Sequence, residues 1–460
     1  MKKVLSTVAA LGLVAGMVTS AAALELKIKG DYTVDGFYID DGAGAPAAAG
    51  TITGGKGLQL VDLEGGASNS DAWLQHMFNI EAEMVVNDKI SMMSRVRLID
   101  WGTVWGSQDD TNVANGRNMS IERLWMVYKS EIGIWDVGRR PAGAWGLSFV
   151  DKATNADRIM WRSGKLFGEE FSVNAFYQKS FEGEAYRADT DNLDLDYYEA
   201  GASLKGGWGS ATLAYGLTLD DRSNIYTTPA SFGADTTTNR IKGVGQFKIA
   251  GNMGLDTEFD YLFGEKEYNS NLHLANPTPA KPGRMDQDIS SFAFLADFYA
   301  NVDALTGHAM YFHTSGDDNG EADGDLNSYD TGTGSDFEPL YILTGVFGNI
   351  LNGDQGANTY GSAARTAGVH AVVLSADYAA SQDLTLHAAF GYAQADKELA
   401  EWDDEYGFEY NVGAAYRLQD NLIYAVHLGY LDTGDFFQKG ATATELNNIF
   451  LASHHLTMSF

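Results

Sequence analysis

Residues 406–418 read YGFEYNVGAAYRL, and the period of this stretch decides the fold. Tyr406, Phe408, Tyr410, Val412, Ala414, Tyr416 and Leu418 fall on one side, and Gly407, Glu409, Asn411, Gly413, Ala415 and Arg417 on the other. Successive side chains of an extended chain point to opposite faces, so the stretch reads as a strand with one apolar and one small or polar face. The pattern spreads outward from there. Leu422, Tyr424, Val426, Leu428 and Tyr430 repeat it, as do Leu384, Leu386, Ala388, Phe390 and Tyr392, and Ala211, Leu213, Tyr215, Leu217 and Leu219. Near the start, Leu26, Ile28, Tyr32, Val34 and Tyr38 oppose Lys27, Lys29, Asp31, Thr33 and Asp35.

A two-sheet sandwich gives the same alternation, so the connections decide between the two all-β architectures. Roughly eighteen segments of about ten residues follow the pattern, or sixteen if those around Trp135 and Ile159 form a loop excursion. Short connections fall near Asn87–Lys89, Ser130–Gly133, Gly164–Gly168, Lys205–Trp208, Ala250–Asn252, Asn301–Ala304, Ala379–Gln382 and Gln419–Asn421. Between them stand mostly long ones, above all Asp40–Asp71, Asp220–Thr238, Tyr268–Gln287, Ser315–Tyr360 and Thr433–Asn448. Short turns at one end and long loops at the other mark a transmembrane antiparallel β-barrel. Three-residue turns at Asn87–Lys89 and Gln419–Asn421 predict Val86 opposite Ile90, Met84 opposite Met92, Glu81 opposite Arg95, Asn79 opposite Arg97 and Leu418 opposite Leu422.

The first residues read as an export signal: Lys2 and Lys3, an apolar run from Val4 to Val18, and an A-x-A site at Ala21–Ala23. Cleavage there leaves a mature domain of residues 24–460 and lowers Lys plus Arg from 31 to 29 against 62 acids, so the net charge moves from −31 to −33. Such acidity excludes nucleic acid as a partner, because phosphate must be neutralised by basic side chains. With no Cys there is no disulfide framework, lipoprotein anchor or thiolate metal site. The nine histidines show no H-E-x-x-H or other metal spacing, and His454 and His455 point to opposite faces of one strand. No cofactor is expected.

Phe460 is terminal, with Met458, Leu456, His454 and Ala452 on its face. Residues 123–146, RLWMVYKSEIGIWDVGRRPAGAWG, read as strand, turn and strand ending in a G-R-x motif. On these residues, and on its layout along the whole mature chain, the sequence resembles the trimeric bacterial outer-membrane porins, most closely the homotrimeric porins of sulfate-reducing and related bacteria. The resemblance implies a homotrimer in outer-membrane lipid and lipopolysaccharide, with Phe460 read by the barrel-assembly machinery. It also implies a basic cluster on neighbouring strands facing acids on an inward-folded loop. Here that loop would be Pro141–Thr154, with Asp151 as its acid.

Eight of the fourteen arginines lie between residues 95 and 162. By parity Arg95 and Arg97 face the lumen opposite Val96 and Leu98, and Arg158 and Arg162 face it opposite Ile159 and Trp161. Arg140 shares the face of Asp136, while Arg123 is ambiguous because Trp125 and Val127 share its parity. With Glu81 and Asp151 these six arginines are the candidate constriction, where opposed charges set selectivity. Glu83, Asp256, Glu258, Asp260, Glu405 and Glu409 also point inward, and pairing of the arginines with such carboxylates would simply keep the wall solvated. The segment Ser315–Tyr360 is rich in Asp and Glu without Lys or Arg and reads as a solvated external loop, since Ala322 breaks a calcium-loop frame starting at Asp317. Trp73, Trp101, Tyr128, Trp135, Tyr378, Tyr430 and Phe460 suit interfacial girdles.

The sequence therefore predicts a porin passing small hydrophilic solutes and ions by diffusion, favouring anions at an arginine-lined neck. The alternative is a substrate-selective channel on the same barrel. An enzymatic barrel lacks support, for there is no G-x-S-x-G elbow, and a structural barrel would be plugged by Ser315–Tyr360.

Overall fold

The computed structural model describes residues 25–40, 70–105, 119–141, 146–150, 155–166, 170–182, 194–221, 234–268, 286–318, 324–329, 337–345, 351, 366–400, 402–438 and 447–460. The signal segment 1–23, Leu24 and Asp151 lie outside them. Eighteen strands form the wall: β1 Glu25–Asp40, β2 Asp71–Asn87, β3 Ile90–Val104, β4 Ser120–Ser130, β5 Gly133–Pro141, β6 Asn155–Arg162, β7 Phe171–Phe181, β8 Leu195–Gly206, β9 Gly209–Asp220, β10 Ala234–Ala250, β11 Met253–Tyr268, β12 Gln287–Val302, β13 Leu305–Thr314, β14 Val369–Ala379, β15 Leu384–Gln394, β16 Glu405–Gln419, β17 Leu422–Thr433 and β18 Ile449–Ser459. Each wall strand pairs antiparallel with its sequence neighbours, and β18 returns to β1, with Tyr32 opposite Met458 and Asp40 opposite Phe450. The sheet is closed. The short segments β5 and β6 pair in register on both sides, so eighteen strands stand, not sixteen.

The parity of the sequence survives in the wall. Leu26, Ile28, Leu213, Tyr215, Val372, Leu374, Val412 and Tyr416 are exposed on the outer face, the apolar band a lipid-spanning barrel needs. Among the described residues no helix is long and apolar enough to cross a membrane. Tyr128, Tyr378, Tyr430 and Phe460 are exposed near strand ends, as girdle positions require. Trp73 departs from that expectation: it lies beside Phe37, which is buried on the inner face, with ring centroids 5.2 Å apart. The side chain of Trp101 lies outside the described residues.

The hairpin registers hold except at their tips. Met84 faces Met92, Glu81 faces Arg95 and Asn79 faces Arg97, but Asn87, not Val86, pairs with Ile90. The reason is local: Asn87 Oδ1 accepts from the Lys89 and Ile90 amides at 2.9 and 3.0 Å, closing a two-residue turn. A bulge before the tip absorbs the extra residue. The same device places Gln419, not Leu418, opposite Leu422 while keeping Tyr416 opposite Tyr424. In the opening stretch, Gly407 adopts φ 121° at such an irregularity, so Tyr406 turns inward, fully buried, and donates to the Gly368 carbonyl at 2.8 Å.

Candidate pore constriction

The first wall of the lumen is an arginine ladder. Arg95 and Arg97 rise from β3, Arg123 from β4, Arg140 from β5, and Arg158 and Arg162 from β6, and all six turn inward. Arg123 does so because a bulge opposite Arg95 and Val96 leaves Glu122 unpaired, so that Glu122 and Arg123 both reach the lumen while Leu124, Met126 and Tyr128 stay outside. Sequence parity cannot show a bulge, and Glu122 was hidden by it. Its carboxylate stands 3.3 Å from Arg95 Nε and 2.8 Å from Arg97 Nη2. Glu81 lies 3.9 Å from Arg95, 3.8 Å from Arg123 and 2.8 Å from Lys29.

Asp136 is the second hub. Its buried carboxylate accepts from Arg140 Nη1 at 2.8 Å and from Arg162 Nη2 at 3.0 and 2.8 Å. Arg158 donates from Nε to Gln178 at 2.6 Å and lies 4.0 Å over the Phe176 ring, an aromatic face that attracts a cation. Arg97 donates to Asn79 at 3.2 Å, and Arg123 to Asn155 at 2.7 Å. Thus six guanidiniums are held by neutral and acidic partners into one row. Arg139, by contrast, shares the outer face with Asp157, 3.3 Å away.

In an eighteen-stranded closed ring, strands nine apart stand across the lumen from each other. β3 therefore faces β12, and β2 faces β11. There the inner face is acidic: Asp256, Glu258 and Asp260 on β11 and Asp297 on β12. Glu258, Asp260 and Asp297 are buried, and Asp256 is half-buried. Arg240 Nε donates to Asp260 Oδ2 at 2.6 Å and the Tyr329 hydroxyl donates to the same oxygen at 2.5 Å. Asp297 pairs with His308 at 2.8 Å, and nearby Lys242 on β10 pairs with Glu199 on β8 at 2.6 Å.

Two connections cover this side. The described part of Pro141–Thr154, residues 146–150, crosses from β5 to β10, β11 and β13. A Cβ on Gly146 would meet Glu258 Oε1 at 2.8 Å and Val244 at 2.7 Å, and Phe149 is buried against Phe312 and Phe337 at 5.6 and 5.0 Å. Residues 146–150 of this loop thus lie against the inner wall, while its expected acid, Asp151, lies outside the described residues. The second is unexpected. Residues 337–345 belong to the segment read as a solvated external loop, yet Leu340, Ile342 and Leu343 are fully buried inside the barrel. The reason is Glu409 on β16, whose two oxygens accept from the Ile342 and Leu343 amides at 2.8 and 2.7 Å. Tyr341 stands edge-on to His427 at 4.7 Å, and burial with Asp377, Glu338 and Glu409 nearby pushes its phenol up, so it stays neutral. The two connections meet at a cavity of about 270 Å³ bordered by Leu147, Phe149, Asp256, Asp297, Phe337 and Glu338.

No protein-family model and no curated protein matches the chain. Among solved structures it is similar to OccK8 (OprE) of Pseudomonas aeruginosa, at 13% identity and a TM-score of 0.50 over 94% of this chain and 98% of that one. OccK3 (OpdO) of the same organism gives 13% identity and 0.50 over 94% and 96%. A BenF-like porin from Pseudomonas fluorescens Pf-5 gives 12% and 0.50 over 94% and 98%. At such identity the likeness is one of fold, and the fold of this chain is the closed eighteen-stranded antiparallel barrel of the outer-membrane porins.

Proposed function

We propose that the chain is an exported outer-membrane channel that passes small hydrophilic solutes and ions and favours anions. The observation that carries this is an asymmetry of access across the lumen. Glu258 and Asp260 on β11, with Glu409, are fully buried, whereas the arginine side chains stay partly open, 16% exposed for Arg95 and Arg140 and 43% for Arg162. A permeating ion is steered by the charge it can approach without protein between. Inorganic anions and small carboxylates are the permeants such a wall suits. The solved structures similar in fold include a BenF-like porin, which supports a channel without naming a solute.

The proposal includes removal of residues 1–23 as a leader, recognition of Phe460 by the assembly machinery, and a homotrimer in outer-membrane lipid. The test is single-channel conductance in planar bilayers, with reversal potential under a salt gradient, for the native chain and for Arg95, Arg97, Arg158 and Arg162 replaced by Gln. Ohmic steps whose selectivity moves toward cations in the variant are expected. Conductance with unchanged selectivity discards the arginine row, and no conductance discards the channel.

A substrate-selective channel is the second reading, favoured by the two inward connections and the cavity where they meet. It requires a current that a small anion blocks saturably; current linear in solute concentration leaves simple diffusion.

A further inference from the structure

His313, next to last in β13, and His370, second in β14, are directly opposed across the strand pair. Both project outward, away from the inward-facing Phe312 and Val369. Their rings stack with centroids 4.1 Å apart. Asp396, just beyond β15, completes the group: its Oδ1 lies 2.9 Å from His370 Nε2 and 3.9 Å from His313 Nε2. One ligand atom from each of the three falls within 4.8 Å of the others.

The other polar atoms of the three side chains are already engaged. His313 Nδ1 stands 3.1 Å from the Val369 carbonyl. A carbonyl only accepts, so the proton sits on Nδ1 and the lone pair on Nε2, facing Asp396. His370 Nε2 donates to Asp396 Oδ1 at 2.9 Å and its Nδ1 takes the Tyr311 hydroxyl at 2.8 Å; a hydroxyl both donates and accepts, so it can take the Nδ1 proton when an ion replaces the proton on Nε2. The Gly316 amide donates to Asp396 Oδ2 at 2.9 Å, so Oδ1 is the oxygen turned to the histidines, and Lys397 Nζ stands 4.0 Å off on the Oδ2 side. Outer partners that fix tautomer and orientation are the ordinary support of metal-ligating imidazole and carboxylate.

We propose that His313, His370 and Asp396 bind a divalent transition metal ion of the zinc type. Tetrahedral zinc with bonds near 2.1 Å sets its ligands about 3.4 Å apart, between the two spacings to Asp396 found here, with all three ligand atoms within 4.8 Å of one another. Two nitrogens and one oxygen suit zinc, cobalt or nickel over calcium or magnesium, which require oxygen shells. A fourth position remains for water, since the His370 side chain is 34% exposed.

The position gives the ion a role. His313 and His370 stand at the two ends of the connection between β13 and β14, which carries residues 337–345 into the lumen. Those ends already cross closely: a Cβ on Gly316 would lie 2.0 Å from the Ala367 carbonyl, and Lys397 donates its amide to that carbonyl at 2.9 Å. An ion there clamps the base of the connection that enters the lumen to the β15–β16 connection.

The test uses the full mature chain without a histidine tag, refolded in detergent and stripped with chelator, then titrated with Zn²⁺ by calorimetry and with Co²⁺ by visible absorption. One ion per chain is expected, with the intense cobalt bands of a four-coordinate site and a zinc-dependent rise in melting temperature. His313→Gln, His370→Gln and Asp396→Asn each weaken binding at least tenfold, and His76→Gln, on a distant strand, does not. Asp396 lies outside the strands, so D396N keeps the readout if a histidine variant fails to fold. Folded native protein that takes up no zinc, or uptake indifferent to all three substitutions, overturns the site. Metal uptake is read without conductance, so its failure and that of the channel are separate.

Discussion

Asp136 is the residue on which two of the six arginines of the row depend. Its side chain is 2% exposed and takes both Arg140 and Arg162, and hydrogen bonds to a charged group carry about 1.5–3 kcal/mol each. Asp136→Asn keeps the shape but removes the charge. The barrel is expected to lose about 2 kcal/mol in denaturant unfolding, and its reversal potential to move further toward anions; an unmoved potential would place Asp136 outside the ion path. The site was legible in sequence where parity alone rules. Arg95, Arg97, Arg140, Arg158, Arg162 and Glu81 lie on the faces that period 2 gives them, because backbone pairing enforces alternation. Glu122 and Arg123 were not legible, since one inserted residue inverts parity and leaves no local mark in composition. The His313–His370 pair was equally hidden: cross-strand neighbours have no sequence spacing to recognise.

At the scale of elements, the connection between β13 and β14 shows why loops resist such reading. Its charged part is the signature of a hydrated loop, and the short apolar run Leu340–Leu343 has no partner visible in its own sequence. What draws it inward is a carboxylate on a strand far along the chain. Glu409→Ala leaves two buried amides without acceptors, at a cost of about 2 kcal/mol, a factor of about thirty in docking. The expected result is larger single-channel conductance with frequent steps between two levels. Gly391→Val should act likewise from the wall side, for a Cβ there would stand 2.5 Å from Leu340 Cδ1. If both variants conduct like the native chain, the segment does not limit the pore. Period and turn chemistry sufficed for the strands because every wall residue answers to one rule, inside or outside, while each loop answers to its own contacts.

For the whole molecule, closure rests on the seam between β1 and β18. Gly30 and Phe460 exchange backbone hydrogen bonds at 2.9 and 3.0 Å, and a Cβ on Gly30 would lie 2.5 Å from the Phe460 ring. Gly30→Val must therefore displace the terminal aromatic. Slower refolding into lipid and a lower melting temperature of the folded, heat-modifiable form are expected, with conductance per folded channel unchanged. Normal refolding kinetics would show that the ring needs no seat.

The same seam has a consequence for how such a chain comes into being. β1 is the first wall strand to be synthesised and β18 the last, yet each is the other's partner. Until β18 is laid against β1, each margin of the growing sheet holds a row of amides and carbonyls that hydrocarbon cannot satisfy. A product stopped one hairpin short is not a narrower pipe but an open ribbon with two adhesive margins. Completeness is thereby tested by geometry: only a chain read to its end can seal itself, and any shorter one advertises its fault to whatever binds bare strands.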